Sequence, residues 1–186
     1  MAAPTVKLGV DVLLERDSAY LALVNGKRIG LITNQSGVDS SLVPTVDRLA
    51  SDSRVSLVRL FGPEHGIRGE VPAGEKVADD RDPQTGIPIV SLYGKDRQPS
   101  KEALKDVDIL MFDIQDVGSR TYTYISTLGE SMRACAETKI PLVVLDRPNP
   151  LSGIHFEGPM IEDRFRSFIG WGPMPVTHGM TLGEAA

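Results

Sequence analysis

The chain alternates between short apolar runs and segments whose apolar residues recur every three or four positions. Short runs of this composition are typical of strands that are buried on both faces. Helical spacing separates the runs, and the clearest example places Ile125, Leu128, Met132 and Cys135 on one face of a long helix. Five strands are predicted in this way, at residues 28–34, 55–61, 87–93, 107–112 and 141–145.

Weaker patterns indicate three further helices. A first helix is predicted over residues 10–21 and a second over residues 43–50. Ser100 is a good N-cap for a short helix that continues to Leu104. Strands and helices therefore follow one another in turn, which is the pattern of a parallel sheet with helices on both faces.

The number of strands decides between the two common parallel architectures. Five strands suit an open doubly wound sheet better than an eight-stranded barrel. We therefore expect an α/β fold with a Rossmann-like open sheet, mostly parallel, of about five strands. A length of 186 residues is enough for one domain with its own core, and we predict a single domain over residues 1–186.

Composition and charge narrow the range of partners. The chain is 41% hydrophobic and 24% charged, as is usual for a soluble globular protein, and no apolar run reaches the roughly 20 residues of a membrane span. A net charge of -5 argues against a nucleic-acid partner, which usually needs a basic surface. Cys135 has no second cysteine to pair with, and its neighbours Met132 and Ala136 indicate a packed helix face rather than a reactive thiol.

The two ends of the chain carry different signals. The first residues contain no long apolar stretch and do not resemble a secretory signal. Thr181 and Glu184 form a T-x-x-E capping pattern, which predicts a helix that starts where the sequence stops. We therefore expect a fragment of a longer protein, with Met174, Val176 and Met180 on an apolar face that docks the missing part.

Polar residues are concentrated where the predicted strands end. Ligands of open α/β sheets bind outside the carboxyl ends of the strands, so these residues are candidates for a site. Two long irregular stretches rich in Gly and Pro, residues 62–86 and 147–178, also follow strand ends, and long loops in compact domains are usually functional. No G-x-G-x-x-G or P-loop motif is present, so no nucleotide cofactor is indicated.

Glu64 and His65 form the sharpest pair of candidates. A proline and two glycines restrict the backbone around them. A carboxyl group on a rigid turn at a strand end is suited to general acid catalysis. The alternative is that Glu64 pairs with Arg68 to brace the loop. His65 could orient the carboxyl group, bind substrate, or serve the loop alone.

A second acid follows the fourth strand. Asp116 or Asp113 would supply the second carboxylate that glycoside hydrolysis needs. Either residue could instead be structural, and Asp113 could cap the next helix or pair with Arg120. Asn34, Gln115 and Asn149 follow strand ends and offer hydrogen bonds suited to hydroxyl and acetamido groups. Asp146 and Tyr122 are further candidates for substrate binding, although Tyr122 and Tyr124 cannot both face the same way, so one of them could belong to the core.

Arginines and histidines complete the set of candidates. Arg68, Arg120 and Arg147 each follow a strand end and could together bind a carboxylate or phosphate, or each could simply pair with a surface acid. A zinc site is weakly indicated, because no two of the three histidines have a short ligand spacing. We predict no metal and no cofactor.

Four sequence blocks at these strand ends resemble the NamZ-type exo-β-N-acetylmuramidases. The blocks are TNQSG at 33–37, GPEHGIRG at 62–69, DIQDVGSRTYTY at 113–124 and LDRPNP at 145–150. The resemblance covers nearly the whole chain in order. It implies a Rossmann-like N-terminal domain, a smaller C-terminal auxiliary domain, and an active site in the cleft between them.

The resemblance also implies a function and a catalytic residue. Members of the family remove N-acetylmuramic acid from the non-reducing ends of peptidoglycan fragments, and Glu64 matches their proposed catalytic glutamate. We accordingly expect a bacterial glycosidase that acts on muropeptides, with a secreted or cell-envelope location. The arginines at strand ends would then bind the lactyl carboxylate of the sugar. The alternative is a carbohydrate-binding or structural module of the same fold that has no turnover.

Overall fold

The computed structural model describes residues 6–70, 72, 80–94 and 97–186. The remainder of the first irregular stretch lies outside these residues. Within these described residues there are six α-helices, six strands and a short 3-10 helix at Asp163–Phe165. The helices are α1 (Gly9–Leu14), α2 (Leu21–Val24), α3 (Thr45–Ser51), α4 (Lys101–Leu104), α5 (Tyr124–Thr138) and α6 (Leu182–Ala185). The strands are β1 (Arg28–Thr33), β2 (Ser56–Gly62), β3 (Asp80–Arg81), β4 (Pro88–Ser91), β5 (Ile109–Asp113) and β6 (Leu142–Val144).

The six strands form one sheet in the order β3-β4-β2-β1-β5-β6. Every pairing is parallel except that of β3 with β4. The predicted Rossmann-like, mostly parallel sheet is therefore confirmed, and the five predicted strands are all present. Beyond the prediction there is the antiparallel edge strand β3, which at two residues is too short to give an apolar pattern. The order of the parallel strands reverses between β1 and β5, which is where doubly wound sheets bind their ligands.

Helices cover both faces of the sheet, as predicted. Alternate residues of β1 point to opposite faces, so Ile32 joins one buried apolar cluster while Ile29 and Leu31 join the other. The first cluster includes Leu128 of α5, and the second includes Leu49 of α3. Apolar burial on both faces is what the continuous apolar runs of the sequence require.

Two helix predictions are confirmed in detail and one needs correction. The Ser100 side chain accepts a hydrogen bond from the Ala103 amide, and Thr181 and Glu184 form a full capping box at α6. The single helix predicted over residues 10–21 is wrong, because α1 ends at Leu14 and α2 begins at Leu21. The apolar residues of both short helices contact the same cluster, so one pattern covered two elements.

The apolar face predicted around Met174 is not where the sequence placed it. Met174 is 8% exposed and belongs to a buried cluster, and Val176 and Met180 are half-buried. Six of the exposed large apolar side chains lie earlier in the same irregular stretch: Leu151, Ile154, Phe156, Met160, Phe165 and Ile169. In the part of the chain that the structure describes, none of the helices combines the length and apolar character needed to cross a membrane.

Segment 168–171 is fixed on α5 by two close contacts. The Ser126 hydroxyl of α5 donates a hydrogen bond of 2.5 Å to the Phe168 carbonyl oxygen. Trp171 lies directly against Gly129, where a Cβ atom would come within 2.1 Å of the indole ring. Glycine is therefore required at this position of α5. The two contacts hold the Phe168 side chain beside the carboxyl edge of the sheet.

Candidate active site

A cavity of about 270 Å³ opens beside the carboxyl end of β2. Glu64 is the only acidic residue among the described residues that line it. The turn after β2, the loop after β4, the start of α5 and segment 168–169 form its walls. The lining residues are Pro63, Glu64, Leu92, Tyr93, Arg97, Thr123, Tyr124, Thr127, Phe168 and Ile169.

The turn that carries Glu64 has an unusual backbone. His65 adopts φ 74°, a left-handed backbone conformation that residues other than glycine rarely adopt, and Gly66 follows with φ 77°. The Gly66 amide closes the turn with a 3.1 Å hydrogen bond to the Pro63 carbonyl oxygen, and Ile67 anchors the turn in the core at 2% exposure. Non-glycine residues keep such conformations only where the surrounding structure holds them, often at functional sites. The turn therefore fixes the half-buried Glu64 beside the cavity.

Tyr124 lines the cavity together with Glu64 and is near enough to feel its charge. It is 5% exposed, and burial together with the charges of Tyr122 and Glu64 raises the pKa of its phenol to about 12. The phenol therefore stays protonated at neutral pH and can donate a hydrogen bond. Tyr122, one of the predicted binding residues, is 39% exposed and packs edge-on against Tyr124 with ring centroids 5.0 Å apart.

Arg68 does not brace Glu64. Its guanidinium forms two hydrogen bonds with Asp82, of 2.6 and 2.9 Å, and two with Asp47, of 2.7 and 3.1 Å. No described residue donates a hydrogen bond to the Glu64 carboxyl group, so the alternative in which Arg68 pairs with Glu64 is wrong. Arg68 instead joins the loop after β2 to α3 and to the hairpin of β3 and β4.

Because of the ion pair between Arg68 and Asp82, we expect the free energy of unfolding to fall at acid pH. Burial alone would raise the pKa of Asp82, but hydrogen bonds from Arg68 and Thr85 outweigh it and hold the pKa at about 2. Since an unfolded aspartate titrates near pH 4, the pairing stabilises the fold above that pH and is lost as the pH falls towards 2. The contribution is about 2 kcal/mol.

We expect Arg68→Gln to remove most of this pH-dependent stabilisation. Urea unfolding of wild type and variant between pH 5.5 and 2.5 measures the difference. Other carboxylates with depressed pKa values are common to both proteins, so their contributions cancel in the comparison. The difference between the two free energies of unfolding should be largest at pH 5.5 and shrink as the pH falls to 2.5. A constant difference across this range would show that Asp82 does not depend on Arg68.

Asn34 and Gln115 occupy the point where the strand order reverses. The side-chain oxygen Oδ1 of Asn34 accepts hydrogen bonds from the backbone amide and the hydroxyl of Ser36, at 2.9 and 2.6 Å. The Ser36 hydroxyl accepts in turn from the backbone amide of Gln115, which links the ends of β1 and β5. Asn34 Nδ2 is buried with no hydrogen-bond partner among the described residues, although it lies close enough to Tyr124 to affect the phenol. This nitrogen is therefore near Tyr124, which lines the cavity.

The Gln115 side chain is already engaged. Its amide nitrogen donates to the Asp116 carbonyl oxygen at 2.8 Å and to the Pro148 carbonyl oxygen at 2.9 Å. It therefore ties the loop after β5 to the loop after β6. The two contacts together use both hydrogens of the side-chain amide nitrogen, so neither hydrogen is left for a ligand.

Arg147 forms a buried ion pair with Asp113. Its guanidinium donates to the two carboxylate oxygens at 2.6 and 3.0 Å, and both side chains are at most 5% exposed. The Thr45 hydroxyl donates to the same carboxylate, and Arg147 also reaches the Val38 carbonyl oxygen. The predicted alternatives for Asp113, a helix cap or a pair with Arg120, are wrong. Arg147 instead joins the ends of β5 and β6 to the loop after β1.

Asp146, Asn149 and Arg120 hold backbone segments in place. Asp146 accepts hydrogen bonds from the Thr181 hydroxyl and the Gly183 amide at the start of α6. Asn149 donates to the Met180 carbonyl oxygen. Arg120 donates to carbonyl oxygens of the long irregular stretch, at 2.9 and 2.6 Å. All three therefore organise residues 147–184.

Asp116 is bonded to His178 in the interior. His178 Nε2 lies 3.1 Å from Asp116 Oδ2, and the same oxygen accepts from the Gly118 amide at 2.7 Å. The Met180 amide donates to His178 Nδ1, which places the imidazole proton on Nε2 and makes His178 the donor to Asp116. The pair is at most 5% exposed. Among the residues described, no three histidine, cysteine or carboxylate side chains are grouped so that they could hold a metal ion.

We expect Asp116→Ala to destabilise the fold by about 2–4 kcal/mol, because two buried N–H donors lose their acceptor. Asp116→Asn, which keeps an accepting oxygen, should cost less. Urea unfolding at pH 7 ranks the two variants against wild type. An alanine variant as stable as wild type would show that the pair with His178 contributes nothing to the fold.

The predicted site residues share one edge of the sheet but not one cavity. Among the described residues, Glu64 is the member of the predicted set that lines the cavity, whereas Asp146 lines a separate one of about 290 Å³ beside α1. Sequence reasoning did not assign Arg97, Phe168 or Tyr93 to the site. Arg97 and Phe168 come from irregular segments, where no periodic pattern marks a position as facing a cavity.

The chain is similar in sequence to proteins of one known family. A family model described as "Exo-beta-N-acetylmuramidase NamZ, N-terminal" matches residues 29–186. The peptidoglycan beta-N-acetylmuramidase NamZ of Bacillus subtilis strain 168 is 53% identical over 183 residues, which cover 98% of this chain and 44% of the relative. The chain thus spans less than half the length of this relative.

Two crystal structures of DUF1343 family proteins from Bacteroides fragilis NCTC 9343 share the fold. One is 47% identical with a TM-score of 0.88, and the other is 37% identical with a TM-score of 0.80. Each alignment covers 98% of this chain, and 45% and 46% of the respective neighbours.

Proposed function

We propose that this chain forms the catalytic half of a glycoside hydrolase. The chain belongs to the NamZ family of exo-β-N-acetylmuramidases, because it matches the N-terminal domain of that family. The proposed reaction releases N-acetylmuramic acid from the non-reducing end of a peptidoglycan fragment. The observation that carries the proposal is Glu64, a half-buried carboxyl group fixed beside a cavity with aromatic walls. The named activity of the Bacillus subtilis relative supports it.

Glu64 is the proposed general acid. Hydrolysis adds water across the bond between the anomeric carbon and the glycosidic oxygen, and that oxygen must receive a proton as the bond breaks. The Glu64 carboxyl group supplies this proton and is left as a carboxylate. The Tyr124 phenol, which stays protonated, contributes a hydrogen-bond donor to the same wall.

The size and lining of the cavity support an exo-acting enzyme. A volume of about 270 Å³ lies just below the roughly 300–1,000 Å³ of typical ligand pockets, which suits one sugar unit better than a glycan chain. Tyr93, Tyr124 and Phe168 provide apolar surface of the kind on which sugar rings stack. We also propose substrate contacts from His65, which follows Glu64 in the turn, and from Asn34, whose side chain is near Tyr124.

We assign the remaining candidates to positioning. Asp116, proposed from sequence as the second catalytic acid, holds His178 in the interior and does not line the cavity. Arg68, Arg147 and Asp146 join strand ends to neighbouring elements through ion pairs and helix capping.

The remaining half of the enzyme is proposed to be a C-terminal auxiliary domain that completes the cleft. The length of the Bacillus subtilis relative supports this, since the match covers 44% of it. The proposed substrate places the enzyme where peptidoglycan fragments occur, in the cell envelope or outside the cell.

A chromogenic β-N-acetylmuraminide tests the proposal on the full-length protein. Release of the chromophore together with free N-acetylmuramic acid, identified by mass spectrometry, is the expected result. Binding of the sugar without release would instead favour the alternative of a carbohydrate-binding module. Absence of both would contradict the assignment of substrate.

A further inference from the structure

Arg97 is a cation in the wall of the Glu64 cavity. Its guanidinium carbon lies 4.3 Å from the centroid of the Phe168 ring, and both side chains line the cavity together with Glu64. Arg97 makes no ion pair with a carboxylate of any described residue, Glu64 included. The cavity wall thus carries a carboxyl group and a guanidinium cation that form no ion pair with each other, so a ligand in the cavity can contact both.

Other arginines in comparable positions are already paired. Arg133 stacks over Trp171 at 4.2 Å but also forms an ion pair with Glu130, and Arg164 stacks over Phe165 while pairing with Glu162. Arg68 and Arg147 are bonded to aspartates. Arg97 therefore lines the cavity, and its hydrogen-bond donors are not bonded to any described carboxylate.

The ring beneath Arg97 favours recognition of an anion. A guanidinium held over an aromatic face keeps its N–H donors, because these lie in the guanidinium plane. Fixing the side chain on Phe168 also lowers the conformational entropy lost when a ligand binds. The contacts of Ser126 and Gly129 with segment 168–171 hold Phe168 itself on α5.

We propose that Arg97 binds the carboxylate of the lactyl group of N-acetylmuramic acid and so makes the site selective for muramic acid over sugars without that group. The inference rests on the proposed function, because it assigns a specificity determinant to the same cavity. It transfers to Arg97 the role that sequence reasoning gave to the arginines at strand ends. A planar guanidinium can bind a carboxylate through two parallel hydrogen bonds, which an ammonium group cannot do.

Two substrates and two variants of the full-length protein test the assignment. One substrate is a chromogenic β-N-acetylmuraminide, and the other is the same compound with its lactyl carboxylate converted to an amide. Arg97→Gln removes the charge. Arg133→Gln is the matched control, since Arg133 also stacks on an aromatic ring but does not line the cavity.

For the acid substrate, Arg97→Gln should lower kcat/KM on the order of 10- to 100-fold, the usual effect of losing a charged hydrogen-bond donor. The amide substrate should be cleaved by wild type and Arg97→Gln at similar rates, and Arg133→Gln should match wild type on both. Arg97→Lys should recover only part of the loss. Equal losses on both substrates, or no loss on the acid, would overturn the role of Arg97.

The same experiment separates failure of the Arg97 assignment from failure of the proposed function. A wild-type protein that cleaves neither substrate contradicts the function. In that case, calorimetric titration with free N-acetylmuramic acid and N-acetylglucosamine tests the role of Arg97 in binding independently of catalysis. Tighter binding of the muramic acid, lost in Arg97→Gln, supports the assignment, and equal affinities overturn it.

Discussion

Glu64→Gln in the full-length protein is expected to lower the rate of N-acetylmuramic acid release on the order of 100- to 10,000-fold, the usual contribution of a general acid. Glutamine has nearly the same shape and still forms hydrogen bonds, but it cannot deliver a proton at neutral pH. No described residue donates a hydrogen bond to the Glu64 carboxyl group, so the melting temperature should stay close to that of wild type. Steady-state kinetics and thermal unfolding on one preparation measure both quantities.

Glu70→Gln is the matched control for this variant. Glu70 lies on the same loop, is exposed and accepts a hydrogen bond of 2.9 Å from the Arg68 amide, which glutamine can also accept. It does not line the cavity. Its turnover should therefore equal that of wild type. Near-normal turnover of Glu64→Gln would exclude Glu64 as the acid.

Arg147→Met is expected to have the largest effect on stability, about 3–5 kcal/mol, because it leaves the buried Asp113 carboxylate without its partner. Burial raises the pKa of Asp113, and the contacts with Arg147 and Thr45 oppose this rise. Without Arg147 the charged form is disfavoured further, so the loss should shrink as the pH falls and Asp113 takes up a proton. Urea unfolding at neutral and mildly acid pH measures the effect.

Two companion variants make the result specific to the buried pair. Arg28→Met removes an exposed partner of Asp108 and should cost at most about 1 kcal/mol. Adding Asp113→Asn to Arg147→Met removes the uncompensated charge and should recover part of the lost stability. If the double variant is less stable than Arg147→Met, a buried unpaired charge is not the cause.

The sheet could be predicted because its signal is local. Residues 109–113 are all buried, so a continuous apolar run marked β5 without any knowledge of its neighbours. The edge strand β3 could not be predicted, because two exposed residues carry no apolar pattern. The break between α1 and α2 was hidden because Leu13 and Leu21 pack against one cluster, and a single periodicity therefore fitted both.

The candidate site could be predicted only as far as it follows strand ends. Glu64 lies two residues after the end of β2, and parallel topology places that position at the edge where ligands bind. Arg97 and Phe168 are brought to the same cavity by contacts between distant segments, which no local pattern encodes. The partners of Arg68 and Arg147 were hidden for the same reason, since Asp82 and Asp113 are separated from them by 14 and 34 positions.

A crystal structure of the full-length Glu64→Gln variant with a disaccharide that has N-acetylmuramic acid at its non-reducing end tests the central claim most directly. We predict that the muramic acid unit occupies the cavity between the Glu64 turn and Phe168. Its glycosidic oxygen should lie within hydrogen-bond distance of residue 64, and its lactyl carboxylate should contact Arg97. A sugar bound in the separate cavity beside α1, or one whose glycosidic oxygen lies far from residue 64, would contradict the account.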